Sequence, residues 1–536
     1  MTRSLAFLIL VATTAVAQHP ASAVEHLIDR ESIAGPMSYL SDDLLEGRQP
    51  GTRGGALARL YIRTQFESYG VKPAGRDGSW DQPVPIIGIT STVTRALGAV
   101  GKNGAAAFTA PTDYTAQAGK PVAGTEWKDA PLVFVGYGIH APEQNWDDYK
   151  DTDVKGKVVL VMNNDPADDP NLFAGKTRLY YGRWSYKFEE AARRGAIGCV
   201  VIHTTPSAGY PFQVIQATHG RERFFLPFDD KTPTLSIRSW CSNDAAVKLC
   251  KLGGFDLDGL RKKAETREFS PVELGVKIDL ATKNRVREIQ SANVLGKIDG
   301  AGPQSDEVVV VTAHFDHLGR GRPVQKDEIY NGALDNASGS AALLSLARAC
   351  SHLPSPPRRT ILFTAVTAEE SGLLGSLYFA RHPTVPRRKM IANFNIDGIN
   401  IWGPTKDIAM IGHGKNSLTD VADRVAKRRG RVLVPNPEVD KGLFYRSDHF
   451  SFARVGVPSA YFKAGHDFYE RASIRRRVKL SYTGTHYHQP SDEFDARWNL
   501  DGAVHDVRLM LECLLTVVGA DEEPRWAKGD EFEKLR

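Results

Sequence analysis

The chain has 536 residues, a formal net charge of +5, 42% hydrophobic residues and 24% charged ones. That length exceeds one ordinary core, so two or three folded units are expected, and the composition is that of a soluble globular protein rather than a disordered one. Lys and Arg are spread along the chain without a basic stripe, which excludes a reading as a nucleic-acid binder.

Met1-Thr2-Arg3 is a short positive start, and Leu5 to Val16 is an apolar run. The run has the length of a signal h-region and falls short of the roughly 20 residues that span a bilayer. Two small-x-small sites follow, Ala15-Val16-Ala17 and Ala21-Ser22-Ala23. A buried N-terminal helix is the plainer alternative. Residues 1–23 are read as a signal peptide, which predicts a secreted or periplasmic mature protein. No later stretch is long and apolar enough for a membrane helix. The five cysteines (Cys199, Cys241, Cys250, Cys350 and Cys513) form no Cys-x-x-Cys motif. Cys241 and Cys250 are close enough in sequence to pair, and none is expected to bind metal.

In residues 24–118, Ala56, Leu60, Ile62 and Phe66 recur at helical spacing, with Gly70 as the stop. From about Pro85 to Gly119 the chain reads as short strands and turns. Residues 119–266 look like a separate, small β-rich unit. Leu132–Gly138 and Lys157–Met162 read as strands, Lys187–Arg194 as a helix and Gly195–Ile202 as a third strand. This unit lacks a cluster of catalytic residue types, so it is expected to supply neither a metal ligand nor a general base.

In residues 267–536 apolar strands alternate with helices. Val308–Val311, Ile361–Val366, Ile391–Ile396 and Gly456–Phe462 are the predicted strands; Ala341–Ala349, Leu373–Ala380 and Val504–Val518 are the predicted helices. Near-continuous apolar strands imply an α/β fold, a mostly parallel mixed sheet sandwiched by helices. The active site of such a sheet lies at the carboxyl ends of its strands.

Three of these strands run directly into candidate metal ligands: the first into His314-Phe315-Asp316-His317, the second into Thr367-Ala368-Glu369-Glu370, the third into Asp397. Asp335 lies between the first two, just before a helix. Taken singly, Asp335 reads as an N-cap, the Glu pair as solvated and the His as a loop residue. Their conjunction at one sheet edge points to a metal. Zn²⁺ takes imidazole nitrogen and carboxylate oxygen, whereas Mg²⁺ and Ca²⁺ favour all-oxygen shells, so His314 and His488 argue for zinc.

The motifs resemble those of the M28 family of zinc aminopeptidases. The resemblance is carried, in order, by His314-Phe315-Asp316-His317, Gly332-Ala333-Leu334-Asp335-Asn336-Ala337-Ser338-Gly339, Thr367-Ala368-Glu369-Glu370-Ser371-Gly372, Asn395-Ile396-Asp397, Ser447-Asp448-His449 and Tyr487-His488-Gln489-Pro490-Ser491-Asp492. Leu40–Arg48 with Gly51-Thr52-Arg53-Gly54 is similar to the family's early segment. Residues 119–266 resemble an inserted protease-associated (PA) domain.

The resemblance implies a zinc-exopeptidase-like fold and two Zn²⁺ ions, with peptides as substrates. Asp335 is then the bridge, His314 and Asp397 complete one zinc, and Glu370 and His488 complete the other. Glu369 is the general base that takes a proton from the attacking water and passes it to the leaving amine. Asp316 orients the His314 ring. Tyr487 either donates to the oxyanion or simply packs, and Asp448 and His449 line the site. A cis peptide is implied between Asp335 and Asn336. The leading reading is an exopeptidase acting on N-terminal residues. Its alternatives are a carboxypeptidase or acyl-amino-acid hydrolase of the same fold, a single-zinc glutaminyl cyclase-like acyl transferase, and a non-catalytic receptor of the same fold.

Overall fold

A computed structural model describes residues 19–228 and 231–536. The central strands of the second half are built from β-branched and other apolar residues, which suit a pleated surface buried on both sides. Val308–His314 pairs in parallel with Thr360–Val366 on one side and Met390–Asn395 on the other, and Met390–Asn395 pairs in parallel with Ser459–Ala464. Beyond these, Asp407–Ile411 runs antiparallel to Ser459–Ala464 and Val432–Pro435 closes that edge.

Alternate residues of one strand face two different cores, as a pleat requires. Val309 and Val311 pack with Ile33, Leu343 and Val507 from the helices Arg30–Leu40, Ser338–Ser351 and Asp501–Gly519. Val308 and Val310 pack with Phe379 and Phe452 on the opposite face. The sheet is therefore covered on both faces, and the carboxyl ends of its parallel strands are left for the site.

The predicted helix around Ile62 spans Arg53–Ser68, and Gly70 follows it at φ +76 as the left-handed stop. The stretch expected to be short strands and turns holds the short strands Gly104–Ala107 and Tyr114–Ala118 but differs in its first part. Asp81–Gly101 is one long strand, paired antiparallel along most of its length with Val272–Ile298. Its Gly, Ala and Thr content mimics turns, but the partner strand supplies the missing local signal through backbone hydrogen bonding. Val272–Ile298 also pairs with Gly124–Phe134 near its start and with Thr360–Val366 at its end, so it ties both halves into one sheet.

The second lobe places Gly124–Phe134, Val158–Met162, Gly198–His203 and Ile237–Ser242 in parallel order, with Tyr114–Ala118 antiparallel at the edge. Its helices Trp184–Arg193, Asn243–Leu252 and Leu257–Ala264 cover two apolar clusters separate from the main core.

All five cysteines are buried and unpaired, including Cys241 and Cys250. The expected signal segment lies outside the described residues as far as residue 18. Pro20–Val24 is a short helix whose Ala21 and Val24 are buried in the main core, so the second small-x-small site sits in packed structure. Among the described residues no helix is long and apolar enough to cross a membrane.

Candidate metal centre

His314 is the last residue of the strand Val308–His314, and Glu369 and Glu370 open a tight turn just after Thr360–Val366. Asp397 follows Met390–Asn395, and Asp335 lies in the turn Ala333–Ala337 ahead of the helix Ser338–Ser351. His488 comes from a loop after the helix Ala472–Thr485, at φ +57. Strand ends and two loops thus deliver every predicted ligand to one place.

The centre of that place is Asp335. Its Oδ1 lies 3.3 Å from His314 Nε2, and its Oδ2 lies 3.2 Å from His488 Nε2. Asp397 Oδ1 stands 3.8 Å from His314 Nε2, and Glu370 Oε2 stands 3.0 Å from His488 Nε2. Two groups of donor atoms result, His314–Asp335–Asp397 and His317–Asp335–Glu370, sharing Asp335. Glu369 Oε2 is 3.9 Å from His314 Nε2, at the edge between them.

His317 is the residue that sequence reasoning did not assign. Its Nδ1 is 2.6 Å from Glu370 Oε1, and its ring stands edge-on to His488. The available signal was its place three residues after His314, in a motif already singled out.

The donor set fits zinc. His314 Nε2, both ring nitrogens of His317, His488 Nε2 and Glu370 Oε1 are buried with no hydrogen-bond partner, although carboxylates face them. Buried polar atoms of this kind are normally satisfied, and nitrogen with carboxylate oxygen, without thiolate, is a zinc shell. The electrostatics favour a cation. Burial pulls the His488 imidazole down, but Glu370 and Asp335 outweigh it and hold it at about 9. Burial likewise pushes Glu370 up, but His488 and His317 outweigh this and hold it at about 2. Asp335 is held well below the carboxylate range by His314 and His488, against the opposing effect of burial. Glu369 differs: burial drives it well above the ordinary range, and the neighbouring carboxylates Glu370 and Asp448 add to this.

Asp316 acts through both of its parts. Its backbone oxygen is 3.2 Å from His314 Nδ1, its carboxylate is 3.9 Å from the same nitrogen, and its Oδ1 accepts from the Glu369 backbone N–H at 3.1 Å. Tyr487 stacks on the His488 ring at 3.9 Å and stands against the Arg446 guanidinium. Asp448 and His449 lie behind the ligands, close enough for Asp448 to act on Glu369 and for Asp397 to act on His449. Both are fully buried and form no part of either cavity beside it. His449 packs between Phe444 and Tyr461, and burial lowers its imidazole to about 3.

Other residues hold the ligand loops. The Asn336 side chain donates to the carbonyls of His314 and Ile396 and accepts from the N–H groups of Gly339 and Gly398. Asp492 accepts from the backbone N–H groups of Leu334 and Asp335 and from the Tyr482 hydroxyl. Lys463 and Tyr461 both donate to the Asp397 carbonyl. Gly332 has φ +58, and a Cβ there would lie 2.2 Å from the Asp335 carbonyl and 2.4 Å from the His317 ring; only glycine fits. The Asp335–Asn336 peptide is cis.

Residues 293–512 match the family model described as Peptidase family M28. This stretch is similar to peptidase family M28. The M28 segment accounts for all the predicted ligands and the Glu369–Glu370 pair. Among curated relatives, Aminopeptidase YwaD of Bacillus subtilis (strain 168) is 28% identical over 176 residues, 32% of this chain and 35% of the relative. Aminopeptidase NAALADL1 of Rattus norvegicus is 35% identical over 249 residues, 41% of this chain and 30% of the relative. The match thus spans about a third of the length of these relatives. The solved aminopeptidase from Aneurinibacillus sp. strain AM-1 superposes with a TM-score of 0.55 at 20% identity, over 94% of this chain and 97% of that one, which shows a common fold. Among the described residues, none from 119–266 belongs to either donor group.

Proposed function

We propose that this protein is a secreted or periplasmic two-zinc exopeptidase that removes N-terminal residues from peptides. The observation that carries the reading is the divided environment of Asp335. Its two oxygens face different imidazoles, and a separate carboxylate, Asp397 or Glu370, completes each side. When bound, zinc polarises a scissile carbonyl and makes water nucleophilic near neutral pH.

The chain's own residues do the rest. His314 and Asp397 hold one ion, His488 and Glu370 the other, and Asp335 both. Glu369 is buried yet engaged by no ligand role, and its raised proton affinity suits a base that accepts a proton from water and returns it to the leaving amine. The Tyr487 hydroxyl, fixed by the stacking on His488, donates to the developing oxyanion. Export is read from the sequence: the positive start, the apolar run in residues 5–16 and the small-x-small sites that follow it.

The test is a substrate panel. Amino-acid p-nitroanilides with a free amine should be cleaved, their N-blocked counterparts should not, and chelation should abolish the activity. Cleavage of N-blocked peptides at a free C-terminus, without cleavage of the p-nitroanilides, would turn the assignment into a carboxypeptidase. His317→Ala should weaken zinc binding by about 10–100-fold, whether His317 ligates or orients Glu370. Elemental analysis after dialysis reads this, and unchanged zinc would remove His317 from the centre.

A further inference from the structure

Beside the centre, a cavity of about 150 Å³ lies between the two lobes. Glu369, Glu370 and His488 form its floor. Its walls carry four arginines: Arg183, Arg223 and Arg238 from the smaller lobe, and Arg446 from the M28 segment. Among the described residues the only carboxylates lining it are Glu369 and Glu370, which belong to the metal centre.

The arginines lack counter-charges of their own. Among the described residues none of the four makes an ion pair, and the Nε atoms of Arg183 and Arg238 are buried with no hydrogen-bond partner. Arg183 and Arg446 repel each other, as do Arg238 and Arg223, and burial with this repulsion lowers Arg183 to about 9 and Arg238 to about 10. Glu189, which acts on Arg238 from outside the cavity, already accepts from the Tyr180 hydroxyl at 2.8 Å. Aromatic faces hold the guanidinium groups in place: Arg238 lies over Phe225 and Phe188, and Arg446 over Tyr210.

Removing a guanidinium from water without a partner is costly, and buried charges are normally paired. Arg446 has the Tyr487 hydroxyl as a partner, but the set of converging arginines has no counter-charge of its own, and at one end of a peptidase centre it calls for an anion that arrives with the substrate. Guanidinium groups recognise carboxylates with paired, charge-assisted hydrogen bonds. The cavity is small and begins at the general base, so the carboxylate must lie close to the scissile bond.

We propose that this arginine-walled cavity binds a substrate carboxylate, making the enzyme selective for short peptides that carry one beside the cleaved bond. The inference rests on the peptidase reading above. The carboxylate can be the C-terminus of a dipeptide or an acidic side chain.

The experiment compares Leu-Leu, Leu-Leu amide, Leu-Glu amide and leucine p-nitroanilide on the full chain, for the native protein and for Arg183→Met/Arg238→Met. Leu-Leu, Leu-Glu amide or both should exceed Leu-Leu amide by at least about ten-fold in kcat/KM, about 1.4 kcal/mol, mainly through KM. Which one does so identifies the source of the carboxylate. The double variant should erase the preference while turnover of leucine p-nitroanilide stays within about two-fold, and Arg183→Lys with Arg238 intact should keep part of it. Equal rates for free acid and amide in the native protein would overturn the proposal, as would an equal loss on every substrate in folded variants. If no substrate is cleaved, the peptidase reading fails and calorimetric titration of glutarate decides this inference alone. Binding that weakens at least about ten-fold in the single or double Met variants upholds it, and unchanged or absent binding overturns it.

Discussion

Glu369→Gln should lower kcat by about 10²–10⁴-fold and leave zinc content unchanged, whereas Glu370→Gln should lose zinc. The two residues are adjacent and of one type, but their surroundings are opposite. Glu370 is gripped between imidazoles, 2.6 Å from His317 Nδ1 and 3.0 Å from His488 Nε2, and is held ionised. Glu369 has no such grip. Its nearest imidazole is His314 at 3.9 Å, and burial raises its proton affinity, so the carboxylate can take a proton from water and hold it until it is returned to the leaving amine. The amide introduced by Glu369→Gln would keep the shape and lose the proton acceptor. Steady-state kinetics with metal analysis on the same preparations read both effects. Loss of zinc from Glu369→Gln with retention in Glu370→Gln would reverse the assignment.

Arg48→Met should destabilise the whole fold by about 3–5 kcal/mol, a large share of the roughly 5–15 kcal/mol that holds a typical domain together. Arg48 is fully buried and donates to four carbonyls: Phe315 at 2.8 Å, Gly332 at 3.0 Å, and those of Leu40 and Asn331. It therefore joins the loop after His314 to the loop before Asp335 and anchors both to the N-terminal helix. Met would leave these carbonyls unpaired in a dry interior. Lys would keep the charge but not the fork that reaches several acceptors, so Arg48→Lys should recover only part of the stability. Denaturant unfolding monitored by intrinsic fluorescence measures both variants, and a midpoint for Arg48→Met equal to the native one would contradict this role.

Arg48 also shows where sequence reasoning stopped. Its motif was recognisable, but its partners lie more than 260 positions away for Phe315, Asn331 and Gly332, and no local pattern reveals such a contact. The strand ends were legible because Val308–Val311 is an apolar run just before His314 and the largely apolar Ile391–Ile396 leads straight into Asp397. Asn336 was visible as part of a motif, while its work of fastening the His314, Ile396 and Gly398 backbones was not. The strand Asp81–Gly101 was read in part as short strands and turns because its stability comes from Val272–Ile298, far along the chain. His449, read as lining the site from its neighbourhood in sequence, is buried between Phe444 and Tyr461, a packing that no local pattern reveals. The arginines of the cavity are scattered from Arg183 to Arg446 and converge only through the packing of the two lobes.

The central claim is a pair of zinc ions sharing Asp335, and zinc stoichiometry tests it most directly. Elemental analysis of the purified chain, titrated with zinc against hydrolysis of leucine p-nitroanilide, should show about two ions per chain at full activity. Asp335→Asn should lose both ions together, because both donor groups depend on its carboxylate. Full activity at one zinc per chain, or an Asp335→Asn protein that keeps two, would contradict the account.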